Sequence, residues 1–481
     1  MSVSSENQNL VKDASARNGS DTKTLRRAVA GSMAGTIIEW YEFFIYGTAA
    51  ALVFSITFFP NADNPLDAVI AAFLTYAIGF VARPLGGFVF GQLGDRYGRK
   101  KLLQVSLIMI GLATFLMGCL PDFSVWGYWA PISLAVLRFI QGFAVGGEWG
   151  GAVLLVAEHS PKERRGYWAS YPQAAACAGN VLASIVLLGA NFILSEEAFL
   201  AWGWRVAFWL SAVVVLIGYY VRKKVEDAPI FKEAAKKQEE NAHASAGLRA
   251  VITQYPKELA LATAVRIGEN AMYYLIIAFT LTYLTIFGSM SSQEVLLIMF
   301  IANIIQFFAM IFGGHVSDKI GRRNTYLLGG AFALIWAFFY FPALNTGSFI
   351  IVLIAVVAGL CFQAFMYAPE GALFGELFPT RARYSGISAA YQIGSILGGS
   401  LAPIIATALW SATDSWVSIA IYLVVILGFS IFSMLFGVKE TRGSRLEDID
   451  EEDFEKHIRR EPRSNNAQQV VADNTAKIPG V

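Results

Sequence analysis

Charge is what this chain has least of. Only 15% of its 481 residues are Asp, Glu, Lys or Arg, against about a quarter in a soluble domain, which excludes a water-facing globule of this size. Cysteine is scarce as well. Cys119, Cys177 and Cys361 are an odd three, all inside apolar runs and without the spacing of a disulfide framework or a metal site, so they read as packing residues. No G-x-x-x-x-G-K-[ST] phosphate loop occurs, which removes ATP as a driving force, and no nucleophile or metal constellation points to an enzyme. The first 27 residues are polar, with no short apolar core ahead of a small-residue cleavage site. A secretory signal peptide is therefore not expected, and the first apolar run serves as the insertion signal. The net charge of +1 argues neither for nor against a nucleic-acid partner; for a bilayer protein none is expected.

What the chain has is apolar length: 56% of it is hydrophobic. A spanning helix needs roughly 20 apolar residues to cross about 30 Å of hydrocarbon. Twelve stretches suffice, near 28–59, 66–93, 102–120, 128–158, 167–194, 203–222, 256–287, 292–314, 324–342, 348–375, 384–411 and 415–437. Lys and Arg mark the cytoplasmic connections. They crowd the N-terminal tail, 96–101, 162–165, 319–323 and 381–383, and nearly vanish from 60–65 and 345–348. Both termini are thus expected in the cytoplasm of a multi-pass cell-membrane protein.

One long polar interruption, residues 222–257, divides the spans six and six. The expected organisation is a tail (1–27), a six-helix bundle (28–222), a linker (223–255), a second bundle (256–437) and a C-terminal tail (438–481). Internal repeats support the division. Gly91-Gln-Leu-Gly-Asp95-Arg96-Tyr-Gly98-Arg99-Lys100 is answered by Gly314-His-Val-Ser-Asp318-Lys-Ile-Gly321-Arg322-Arg323. Glu158-His-Ser-Pro161 with Arg165 is answered by Glu376-Leu-Phe-Pro379 with Arg383, and Gln173 and Gly179 by Gln392 and Gly398. The fold class is an all-α membrane protein of twelve transmembrane helices in two six-helix pseudo-repeats, an arrangement of secondary transporters with sites near the midplane between the halves.

Charges inside the spans are costly, about 2.5 to 3.5 kcal/mol each at the bilayer centre, and so mark function. Glu39 and Glu42 stand about 11 and 14 residues into the first helix, roughly 16 to 21 Å along it. A spacing of three puts them on one face. Two acids so placed do not both ionise readily, which makes a proton carrier of one. The alternative is that one simply pairs with Arg83 of helix two. Arg138 and Glu148 of helix four, Arg266 and Glu269 of helix seven and Glu370 of helix ten are further buried charges. Arg266 and Glu269, three apart, also read as a mutually neutralising structural pair. Arg83, Arg138 and Arg266 offer bidentate partners for a carboxylate. Tyr41, Trp149, Gln173, Tyr273, Tyr391 and Gln392 complete a candidate lining, with packing as the alternative for each.

The loop Gly91 to Lys100 resembles the cytoplasmic signature of the major facilitator superfamily, and Arg138-Phe-Ile-Gln141-Gly142 resembles its fourth-helix motif. Ile38-Glu-Trp-Tyr-Glu-Phe-Phe44, Ala82-Arg-Pro-Leu-Gly-Gly87, Gln141-Gly-Phe-Ala-Val-Gly-Gly-Glu-Trp-Gly-Gly151 and Trp202-Gly-Trp-Arg205 resemble the metabolite:proton symporter family, whose members carry shikimate, alpha-ketoglutarate, citrate or proline and betaine. The resemblance runs from about residue 28 to 440. It implies the major facilitator fold, alternating access, and the proton as the coupling ion, with no other cofactor. It also implies proton coupling through Glu39, Glu42, Arg138 and Glu148; the family usually has Asp where Glu42 stands. In the loop motif, Asp95 and its repeat Asp318 are expected to pair with basic groups and with the positive N-terminus of a neighbouring helix. Gly91, Gly98 and Gly321 permit the close turn, and Arg96, Arg99 and Arg322 supply the cations. The same basic residues also fix topology.

Helix five lacks the G-x-x-x-G-P pattern resembling drug:proton antiporters, so uptake is expected over efflux. The expected function is proton-coupled symport of a small polar metabolite by a monomer, the substrate being an organic acid such as shikimate or a di- or tricarboxylate. A proline or glycine betaine symporter is the alternative, and a facilitative channel or a sensor would share the helices. The tail lacks the sustained heptads of osmosensing members and reads as solvated and partly disordered.

Overall fold

The computed structural model describes residues 25–26, 29–60, 64–97, 99–146, 156–157, 160–226, 247–288, 290–444 and 446–453, and among them there is no β-strand. The first half holds α1 (Val29–Thr57), α2 (Pro65–Tyr97), α3 (Arg99–Cys119), α4 (Trp129–Val145), α5 (Arg165–Ile193) and α6 (Arg205–Glu226). The second holds α7 (Pro256–Tyr274, continued through π-helical turns at Leu275–Phe279 and Tyr283–Phe287), α8 (Ser292–Ile320) and α9 (Arg322–Leu344). It is completed by α10 (Phe349–Leu377), α11 (Thr380–Thr413) and α12 (Trp416–Gly437).

Among the described residues eight helices are long and apolar enough to cross a membrane, and a ninth if the bent pair ending in α6 is one span. α3 and α4 contribute shorter apolar helices, and α7 carries Lys257, Glu258, Arg266 and Glu269. The burial pattern is that of a protein in lipid. Phe339, Ile354, Phe432 and Phe436 point outward, whereas Glu42, Arg138, Arg266 and Glu269 are shut inside. Helices are what such a solvent permits, because each satisfies its own backbone.

Within the first half α2 packs on α4, and α3 on α4 and α6; within the second, α9 packs on α10 and α12, α8 on α10, and α7 on α11 and α12. Among the described residues two extensive pairings join the halves, α5 with α8 and α2 with α11, with smaller contacts of α5 on α10 and α1 on α7. The repeat equates α2 with α8 and α5 with α11, so the two seams are copies of one another about a pseudo-two-fold axis. The tightest crossing is α2 on α4. A Cβ on Gly142 would strike the carbonyl of Gly79, and one on Gly146 the carbonyl of Arg83, so the glycines let the backbones meet and bring Arg83 beside Arg138.

α2 and α8 run past their apolar windows. Beyond the hydrocarbon a charged helix has no reason to stop until its backbone does, and α8 ends at Gly321, whose φ of 106° favours glycine. The linker's last turns form a helix, Gly247–Gln254, that packs on α11. The C-terminal tail departs from the solvated reading over Leu446–Asp453, which is helical. Its Asp450 accepts from the Thr380 amide at 2.6 Å and the Thr380 hydroxyl at 2.7 Å, and Asp453 pairs with Arg381 at 2.6 Å. Acids at a helix N-terminus are stabilised by its dipole, and that contact docks the tail. Burial and the Asp453 carboxylate push the Tyr255 hydroxyl up as part of the same contact.

Candidate functional site

Glu39 and Glu42 are one turn apart on α1 but meet different surroundings. Glu42 is fully buried and accepts from Ser211 Oγ of α6 at 2.5 Å and Thr114 Oγ1 of α3 at 2.8 Å. Thr114 in turn accepts from Gln141 Nε2 of α4 at 2.7 Å, and Gln141 Oε1 accepts from Arg138 Nη1. The chain Arg138, Gln141, Thr114, Glu42 has one polarity when the Thr114 hydroxyl, which also lies 2.9 Å from Ile110 O, turns its hydrogen to the carboxylate. Arg138 lies over the rings of Tyr46, Phe43 and Tyr76 at 4.2, 4.7 and 4.8 Å. Ring faces attract a desolvated cation and so help to hold this guanidinium.

Glu39 faces a small cavity that it shares with Arg83, Arg138, Gln141 and Phe43. Arg83 stacks on Phe43 at 4.6 Å and Phe80 at 5.1 Å. The single face expected for the two acids is thus split: the 60° between positions three apart is enough to send Glu39 to the cavity and Glu42 into the packing of α3 and α6.

The second half builds its own charged cluster. Arg266 Nη1 donates to Glu269 one turn along α7 and to Glu370 Oε2 of α10 at 3.1 Å. Glu269 Oε2 also accepts from Gln363 Nε2 at 2.7 Å, and Gln363 Oε1 from Gln306 Nε2 at 2.7 Å. The guanidinium lies over Tyr391 at 4.1 Å and Tyr367 at 4.6 Å. A small cavity lies beside the cluster, and both halves line it: Trp40 and Gln173 from the first, Arg266, Glu269, Tyr273 and Tyr367 from the second. Trp40 Nε1, Asn270 Oδ1 and Gln306 Oε1 are buried without a protein hydrogen-bond partner.

Gln173 does more than line the cavity. In the orientation that satisfies its amide, its nitrogen donates to Tyr367 O at 2.5 Å and its oxygen accepts from Gly371 N at 2.8 Å. These are the two groups that an unbroken α10 would join to each other. A side chain of the first half is inserted into the backbone ladder of the second, at Ala368-Pro369, where regular α-helix lapses ahead of Glu370.

At the end of the molecule that bears Arg322 and Arg381, Asp318 accepts from the amides of Gly166 at 2.9 Å and Tyr167 at 2.8 Å, at the start of α5, and from Arg322 at 2.6 Å. Glu376 gathers Arg165 at 2.8 Å and Arg322 at 3.5 Å. At the opposite end Gln293 of α8 donates to Asn191 O of α5 at 2.9 Å, and midway Asn180 donates to Asn303 at 3.1 Å. The seam is closed along its length.

The structure brings Arg83, Arg138 and Glu39 together at one cavity and Gln173, Arg266, Glu269 and Tyr273 at the other. Tyr391 lies under Arg266. Gln392 is buried outside both linings, and Tyr41 turns away to donate to Ala207 O at 2.7 Å. Glu148, Trp149 and Gly98 lie outside the described residues, as do the side chains around Gly91, Asp95, Arg96 and Arg99. Sequence reasoning passed over Thr114, Ser211 and Gln306, neutral groups on apolar helices that no spacing rule marks.

Comparison with known proteins fits this geometry. The family described as Sugar (and other) transporter matches residues 28–257, and the Major Facilitator Superfamily matches residues 259–471. An inner membrane metabolite transport protein of Escherichia coli is 37% identical over 427 residues, 87% of this chain and 95% of the relative. The shikimate transporter of the same organism is 37% identical over 404 residues, 83% of this chain and 91% of the relative. Its proline/betaine transporter is 33% identical over 434 residues, 88% and 85% of the two chains. The fold matches the proton:xylose symporter XylE bound to 6-bromo-6-deoxy-D-glucose with a TM-score of 0.70, at 16% identity over 90% of this chain and 99% of that one.

Proposed function

The chain belongs to the major facilitator superfamily, and from that membership we propose that it is a proton-coupled symporter that takes up a small carboxylate-bearing metabolite by alternating access. As a member it is a multi-pass membrane transporter of small molecules and not an enzyme. The observation that carries the coupling is Glu42. A carboxyl shut away from water at the end of an aligned donor chain is costly to keep charged, and a proton bound with the substrate removes that cost for the crossing.

The substrate class rests on chemistry shared by the relatives. Shikimate, proline, glycine betaine, ectoine and pipecolic acid, named for several of them, all carry a carboxylate. Arg83 and Arg266, one beside each cavity, are the groups suited to it. The organic-acid reading is favoured by the hydrogen-bonding lining of Gln173, Gln306 and Gln363 around the inter-half cavity. The osmolyte reading draws on Trp40, Tyr273 and Tyr367 at the same place, aromatic faces that attract a quaternary ammonium.

The test is uptake by proteoliposomes under an imposed inward proton gradient, with radiolabelled shikimate, proline and glycine betaine in parallel. Accumulation of shikimate that unlabelled hydroxylated cyclic acids compete away is the expected result. Accumulation of betaine alone would move the assignment to the osmolytes, and downhill entry that ignores the gradient would remove the symport reading.

A further inference from the structure

Arg266 is 1% exposed and is shared between two carboxylates, Glu269 and Glu370, each itself no more than 1% exposed. With all three ionised, the cluster holds a net −1 beside the inter-half cavity. A substrate carboxylate approaching Arg266 meets two anions already bonded to its Nη1, while its Nε is buried without a hydrogen-bond partner, and adding a third negative charge in a water-poor site is strongly unfavourable. The cluster can accept such a substrate only if one acid gives up its charge.

The two acids are not equivalent. Glu269 is held twice, by Arg266 and by Gln363, which is backed by Gln306. Glu370 has Arg266 on Oε2, while its Oε1 is buried without a hydrogen-bond partner. The groups facing it are Arg266 and Glu269 from α7 and Tyr326 from α9; Tyr367 of its own helix and Tyr391 of α11 lie against Arg266, and α5 presents neutral Gln173. The more distant charges of α5 and α9, Arg165 and Arg322, are engaged by Glu376. Glu370 is therefore the acid with least to lose on protonation. It also follows directly on the lapse in α10 that Gln173 bridges from the other half, so a shift at Glu370 is felt across the seam.

We propose that Glu370 is a second proton-binding carboxyl, and that its protonation transfers the Arg266 guanidinium to the carboxylate of the substrate. The proton comes from the bulk phase to which the cavity opens and adds to the Glu370 carboxylate. The Arg266 N–H that had bonded Glu370 then bonds the substrate oxygen, and the cluster keeps its charge. Substrate and proton bind together or not at all. The assignment rests on the symport reading and names the residues that carry it out in the second half.

The test is titration calorimetry on the purified full-length protein with shikimate, and with proline and glycine betaine as further probes. A pH series in buffers of different ionisation enthalpy counts the protons taken up. In the wild type, the Glu370 proton should weaken affinity by about tenfold per pH unit on the alkaline side, over any contribution from Glu42, with proton uptake on binding. Glu370→Gln, a permanent mimic of the protonated acid, should bind as tightly as the wild type does at acid pH, lose that slope, and take up about one proton fewer. Glu370→Asp should keep the slope.

A Glu370→Gln protein whose slope and proton count match the wild type would overturn the assignment while leaving gradient-driven uptake, and so the symport reading, intact. Should Glu370→Gln fail to elute as a folded species, the wild type decides: binding of a probe with no proton uptake overturns the assignment. Failure of the wild type to bind any of the three probes would overturn this assignment and the carboxylate reading together.

Discussion

Glu42 and Glu370 are buried to the same degree but held by different chemistry: Glu42 by two hydroxyls, Glu370 by a shared guanidinium. Replacing one oxygen of Glu42 by an amide nitrogen isolates the proton. Glu42→Gln can accept from one of Ser211 and Thr114 and donate to the other once that hydroxyl turns, but it has no proton to cycle. It should therefore lose accumulation above the external concentration, while exchange of labelled for unlabelled substrate across the membrane persists. The readout is the ratio of gradient-driven uptake to exchange, and a variant that accumulates like the wild type would take Glu42 out of coupling. At this scale the sequence marks the acids and arginines clearly, because a charge within an apolar run has no routine explanation. It does not mark their partners. Thr114 hydrogen-bonds Ile110 O at 2.9 Å as any helical threonine does, and only the packing of α3 against α1 reveals that it also serves Glu42.

At the scale of the helix, the cap that the repeat led one to expect at Asp95 is seen at its copy, Asp318, on the start of α5. The corresponding end of α11, which the repeat assigns to Asp95, is met in this structure by Asp450 of the tail. The tail's part was illegible because eight residues with no long apolar run look like any solvated segment, and docking depends on where α11 begins in space. A carboxylate lost from two backbone amides and an arginine at a helix N-terminus costs about 1 to 2 kcal/mol, a factor of roughly 5 to 30 in population. Asp318→Asn should therefore hold this end of the α5 and α8 seam closed less of the time. Initial uptake rates at saturating substrate should fall by about that factor, with expression and substrate binding kept. Turnover equal to the wild type would reduce the contact to a marker of topology.

For the whole molecule, the number of helices, their division six and six and the copying of one half into the other are legible, since span length and repeat spacing are one-dimensional properties. The pairing of α5 with α8 and α2 with α11, and the inter-half cavity that Trp40, Gln173 and Arg266 line, are three-dimensional consequences of the two-fold relation. These seams hold a charged cluster of one half against the neutral side chains of the other, so opening at either end must be balanced at the clusters by protons and substrate. The most direct measurement is proton movement driven by substrate alone. Proteoliposomes loaded with a pH-sensitive dye, at equal pH inside and out, receive external shikimate, proline or glycine betaine. The account predicts that the lumen acidifies with the substrate that enters, and that Glu42→Gln abolishes the acidification. Entry of labelled substrate into wild-type vesicles with no change in lumenal pH would contradict it.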